Sequence, residues 1–127
     1  MTFLEESLDI VAGLQEEVYL RVVQIQAAKE GRAQVSHDDI IEYYHYLYAL
    51  MEKQQILLTR IQLMKDETVE GIITGIQMLA DSFGRDPEQD LQSWHTMMKH
   101  DTLLMLEELT GELIDPSNLE LDVHWEE

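Results

Sequence analysis

From Leu4 to Ile25 and again from Ile40 to Ile61, apolar residues recur in alternating steps of four and three, the spacing of a single stripe along an α-helix. The first stripe is Leu4, Leu8, Val11, Gln15, Val18, Val22, Ile25; the second is Ile40, Tyr44, Leu47, Met51, Gln54, Leu58, Ile61. Each is interrupted by one glutamine. With only two Pro and six Gly in 127 residues, few positions force a helix to stop. The pattern predicts a first helix from about Phe3 to about Lys29, closed by Gly31. A second begins after Ser36, an N-cap with Asp39 at its third position. Matching heptad-like seams pack against each other or against a second copy. Tyr43, Leu50, Leu57, Leu63 and Met64, off the seam, widen the apolar face toward a bundle rather than an isolated coiled coil.

After Lys65-Asp66-Glu67, a shorter third helix uses Val69, Ile72, Ile73, Ile76 and Leu79 and ends near Phe83-Gly84. Asp86-Pro87-Glu88-Gln89 reads as the start of a fourth, with an Asp cap, Pro at the first helical position and Gln at the third. Its apolar face is Leu91, Trp94, Met98, Met105 and Leu109, and Gly111 with Pro116 closes it. From Asn118 the period changes: Leu119, Leu121, Val123 and Trp125 alternate with Glu120, Asp122, His124 and Glu126, an extended segment with an apolar side and an acidic side. The expectation is an all-α, antiparallel helical bundle over residues 1–115, with two long heptad-patterned helices and two shorter ones, followed by an acidic extended tail over 116–127.

Charge narrows the partners. The formal net charge is −18, and nine carboxylates with no Lys or Arg lie between Asp101 and Glu127. Such a chain repels nucleic acid and anionic membranes and attracts basic surfaces. Direct nucleic-acid binding and membrane binding are therefore not expected. The absence of Cys excludes disulfides, thiolate metal sites and a Cys nucleophile. No secretory pattern or apolar run of membrane-spanning length is present, so the expected location is cytoplasmic.

Five local groupings bear on function. Glu42 and His45 form a Glu-x-x-His, the spacing by which di-iron bundles aim two ligands at one centre, but no second copy exists in the chain: His95 follows Gln92 by three residues, and His100 follows Met97. An ordinary exposed pair is the simpler reading, and no metal or cofactor is expected. Tyr43, Tyr44, Tyr46 and Tyr48 cluster about His45. The spacing of Tyr44 and Tyr48 favours core, whereas four such rings cannot all face one way, which leaves Tyr43 and Tyr46 for a recognition surface. Gln15 and Gln54 either fix the register of their seams or lie solvated at the edges. Gly71 and Gly75, four apart, fit either close helix approach or a weak helix. His95 and His100, five apart, read as ordinary polar positions.

The segment Leu50-Met51-Glu52-Lys53-Gln54-Gln55-Ile56-Leu57-Leu58-Thr59-Arg60-Ile61-Gln62-Leu63 resembles the central helix of the cyanobacterial domain of unknown function 1825 family. The opening Met1-Thr2-Phe3-Leu4, the Phe83-Gly84 stop and Met97-Met98 on the following helix are similar in the same order, over roughly Met1 to Thr110. The resemblance implies a small helical protein from a cyanobacterium or its phage and transfers no catalytic residue.

The leading expectation is a non-enzymatic interaction protein, a homodimer that binds a protein partner with a basic surface. Leu121, Val123 and Trp125 would anchor the tail while Glu120, Asp122, Glu126 and Glu127 steer it, with Tyr43 and Tyr46 on the bundle. Two alternatives are mimicry of nucleic acid, inhibiting a DNA-binding protein, and a carboxylate/His metal site at Glu42 and His45.

Overall fold

In a computed structural model of the chain, residues 3–64 and 67–111 are described. These are helical throughout apart from short connections: α1 (Phe3–Lys29), α2 (His37–Ile61), α3 (Glu67–Ser82) and α4 (Leu91–Thr110). The expected four helices are present; α1 has the predicted limits and α2 begins directly after Ser36, as its cap predicts.

Local chemistry sets the ends. At Gly31, with φ 75°, the Arg32 amide donates to the Ala27 carbonyl (2.8 Å) and the Gly31 amide to the Ala28 carbonyl (3.1 Å). Such a paired closure needs a left-handed residue, and glycine adopts it without steric cost. Gly84 (φ 83°) ends α3 in the same way. Ser36 and Asp39 form a reciprocal capping box at the start of α2, each side chain accepting from the other's backbone amide. Hydrogen bonding from Ser36, its backbone amide first and its side chain second, holds the Asp39 carboxyl below the usual carboxylate range.

The fourth start differs from its sequence signal. Asp86 does accept from the Glu88 amide (2.9 Å), but it closes only one turn. Arg85 takes the Gln89 carbonyl through Nη1 (2.6 Å). The helix begins afresh at Asp90, whose carboxylate accepts from the Ser93 amide at 2.8 Å and the Ser93 hydroxyl at 2.9 Å. A carboxylate satisfying two donors at one N-terminus outcompetes the Asp-Pro turn three residues earlier.

α2 lies between α1 and α4, and the partners' numbers fall along each neighbour as they rise along α2. Residue 42 meets 21 and 54 meets 15, while 37 meets 109, 54 meets 95 and 55 meets 92. Covered from two sides, α2 is buried around much of its girth, at Leu47, Tyr48, Ala49, Leu50, Met51, Gln54, Leu57, Leu58 and Ile61. α1 contributes Ser7, Val11, Leu14 and Val18, a face turned slightly from the Leu4 seam, so that Leu4 and Leu8 are half-buried. α3 adds Val69, Ile76 and Ala80. α4 adds Trp94, His95, Thr102 and Leu106, with the Trp94 ring tilted against Phe83 at 6.4 Å.

Urea unfolding would separate these contributions. Trp94→Ala is expected to lower the unfolding free energy by about 3–5 kcal/mol. Leu63→Ala, at a side chain 84% exposed, should change it by less than about 0.5 kcal/mol. Ser7 Oγ is fully buried with no hydrogen-bond partner among the described residues. Ser7→Ala should therefore leave stability unchanged or raise it by up to about 1 kcal/mol.

Candidate functional site

The two glutamines that interrupt the seams meet. Gln15 Nε2 donates to Gln54 Oε1 at 3.0 Å, and Gln54 Nε2 lies 2.9 Å from His95 Nε2, which joins α1, α2 and α4 through one chain of polar atoms. The chain ends where His95 Nδ1 reaches the Leu91 carbonyl at 2.6 Å. A carbonyl can only accept, so Nδ1 carries the hydrogen and Nε2 of the neutral ring is a bare acceptor. Gln54 must then present its NH₂ to the histidine and its oxygen to Gln15. Every orientation in the chain follows from that one carbonyl.

Gln54 and His95 are both fully buried. Burial, and secondarily the charge of Lys99, holds His95 below the ordinary histidine value of 6.5 against the opposing effect of the Leu91 carbonyl. Trp94 stands edge-on to the ring at 4.9 Å. Reading His95 as an ordinary polar position is corrected by this geometry. Its helical neighbours carried the missed signal: Leu91, His95, Met98, Thr102 and Leu106 form a stripe that includes it, one residue round from the stripe drawn through Trp94.

The tyrosine cluster builds a second assembly. Arg21 Nη1 and Nη2 pair with Glu17 and Glu42, and its guanidinium lies 4.1 Å above the Tyr46 ring. Burial opposes the Arg21 charge, yet the hydrogen bonds of Glu42 and Glu17 outweigh it and raise its pKa. Tyr43 packs edge-on to Tyr44 at 4.9 Å, and burial, with the Tyr44 ring adding to it, pushes its hydroxyl up to about 12. Tyr43, Tyr44 and Tyr46 are half-buried against the core and Tyr48 is buried. Glu42 is thus engaged by Arg21. Burial lowers the His45 pKa despite Glu42 nearby. Among the described residues no group of three or more His, Cys, Asp or Glu is placed to hold a metal ion.

Gly71 and Gly75 have nothing within 4 Å of where a β-carbon would stand, so they do not serve close approach between these helices. They line a groove of about 360 Å³ between α1 and α3, with Leu57 and Ile76 also in its wall and Gln15 at its edge. Among the described residues no helix is long and apolar enough to cross a membrane. The tail residues Glu120, Leu121, Asp122, Val123, Trp125, Glu126 and Glu127 lie outside the described residues. No family model, curated protein or solved structure matches the chain.

A proton on His95 Nε2 would face the Gln54 NH₂, donor against donor. Because the folded histidine resists protonation, the unfolded chain binds more protons just below pH 6.5, and stability rises with pH there. The His95 contribution is complete above about pH 6.5 and is lost as pH falls through the lower folded value. The test compares chemical denaturation of the native chain and His95→Leu between pH 5 and 7.5. The native chain should lose more stability on acidification. At pH 7.5, His95→Leu should cost about 1–3 kcal/mol, since Gln54 loses its acceptor, and adding Gln54→Leu should recover part of it.

Proposed function

We propose that this chain is a non-catalytic protein-interaction module, a regulator or assembly factor that works in the cytoplasm and binds a partner with a basic surface. In this reading the antiparallel bundle spans residues 1–115 and acts as a homodimer. Residues 116–127 form its acidic tail. Membership in the cyanobacterial family it resembles belongs to the same proposal.

One observation carries the reading. No Asp or Glu among the described residues is buried, while Arg21, Arg32, Lys53 and Arg85 each stand against a carboxylate. Those four cations are engaged locally, and the surplus of carboxylates faces outward. A surface of that kind speeds encounter with a cationic partner and contributes less as salt rises. Apolar anchors must then supply the lasting affinity, and Leu121, Val123 and Trp125 have that chemistry.

Affinity capture from nuclease-treated cyanobacterial lysate, at low and moderate salt, compares the full chain with one ending at Asp115. A partner held by the full chain should be lost with the tail and weakened at least about tenfold by Trp125→Ala, with the unfolding midpoint unchanged. Retention by the truncated chain would move the binding surface to the bundle. Displacement of the partner by added DNA would favour the nucleic-acid-mimic reading.

A further inference from the structure

We infer that the groove between α1 and α3 takes an amphipathic, cationic helix of a partner protein, with apolar side chains of that helix on the groove floor and its Lys or Arg residues on Asp9 and Glu16. This deepens the interaction reading above, on which it rests, by naming a surface on the bundle and the kind of segment it holds.

α3 packs on α2 and α4, and the groove of about 360 Å³ runs between it and α1. Its floor is apolar, with Val11 and Ile76 buried there and Leu8 and Ile72 half-buried. Gly71 and Gly75 form the α3 wall, both exposed, with open space where a β-carbon would stand and no positive φ to require glycine. In the interior of a helix each weakens it relative to alanine. No contact among the described residues uses their smallness. A helix laid in the groove does, because a wall without side chains lets its backbone approach closely.

Charge identifies the occupant. Asp9 and Ala12 line the groove on α1. Glu16 follows Asp9 by seven residues, which puts it about 10 Å further along the helix and about 20° around it, between Asp9 and Ala12 in angle. Both carboxylates are exposed, and neither has a partner among the described residues. On α3 a further carboxylate, Glu67, stands one turn before Gly71, and no Lys or Arg lines the groove. Residues 112–127 of the chain itself carry six carboxylates without a Lys or Arg, and a second copy brings a net charge of −18, so this rim repels both. A helix with Lys or Arg two turns apart matches the spacing of Asp9 and Glu16, about 10 Å. The groove holds only a few side chains, so alone it gives a weak contact, about 10–100 μM, that the washing steps of a capture remove.

Fluorescence anisotropy on the full purified chain, at about 0.15 M salt, reads this with three labelled synthetic peptides of about 18 residues. One has Leu along one helical face and Lys on the other, one has the same residues scrambled, and one has Gln in place of Lys. The ordered Lys peptide is expected to bind at least about tenfold more tightly than either of the others. Gly75→Leu, which fills the groove from an open position and favours the helix, should weaken that binding at least about tenfold while keeping or raising the urea midpoint. Asp9→Asn with Glu16→Gln should weaken it as much. Asp101→Asn with Glu108→Gln, an equal change of net charge at exposed positions of α4, should leave it within about twofold. Unchanged binding by Gly75→Leu, equal binding of the ordered and scrambled peptides, or no binding of any peptide would overturn the groove. Equal loss from the two acid pairs would overturn the assignment of Asp9 and Glu16, and equal binding of the Gln peptide would overturn the cationic occupant. None of these results involves the tail, so a partner lost with the tail in the capture experiment stands whichever way the groove falls.

Discussion

A single proton, held between His95 Nδ1 and the Leu91 carbonyl, orders the polar centre of this bundle. With that hydrogen fixed, Gln54 can turn only one way, and its oxygen is then aimed at Gln15 on the opposite side of α2. Apolar packing along three helices is tolerant of sliding, because one leucine fills much the same space as the next. A directional chain of amides is not. Shifting α1 or α4 by one turn along α2 would leave the fully buried Gln54 without a donor or an acceptor, at the cost of desolvating it for nothing. The polar chain thus contributes specificity of register more than net stability, the role a buried polar residue has in a coiled seam.

The two assemblies divide the long helices between them. Toward one end, Gln54 lies in the stretch of α2 from Leu47 onward that holds its buried residues, with half-buried Gln15 of α1 on one side and buried His95 of α4 on the other. Toward the other, Arg21 bridges Glu17 and Glu42 and covers Tyr46, where side chains of α2 are only half-buried. Replacing apolar burial by ion pairs at that end keeps α1 and α2 aligned while leaving the outer face of α1 uncovered. The buried centre and the exposed outer side of α1 are consequences of one distribution of residues along it, with Ser7, Val11, Leu14 and Val18 facing inward and Tyr19, Leu20 and Val23 facing away.

Periodicity made the helices legible and left their cross-connections obscure. The limits of α1 and α2 were readable because Gly31, Ser36 and Asp39 act within a few residues of themselves, and a local signal survives without tertiary information. Asp86-Pro87 misled for the complementary reason: a good start signal was overridden by Asp90, with Arg85 diverting the Gln89 carbonyl. Gln15 and Gln54 were visible as interruptions, but their meeting depends on a separation of 39 residues in sequence. His95 was less visible still, since a histidine between Trp94 and Thr96 looks the same in sequence whether its ring is solvated or fully buried.

Histidine suits the end of this chain because its neutral ring offers one donor and one acceptor on opposite edges, as the Leu91 carbonyl and the Gln54 amide require. Glutamine at the same place could accept from Gln54 and donate to the carbonyl only by bending a flexible side chain, while leucine could do neither. The same property makes the arrangement reversible. Protonation converts the acceptor edge into a donor, and Gln54 can answer only by turning its oxygen toward His95, which presents an NH₂ to Gln15 in place of an oxygen. Gln15, half-buried at the edge of the α1–α3 groove, has room to turn in response. The polarity of the whole chain is therefore set by one buried ring, and its far end lies where α1 meets the open side of the bundle.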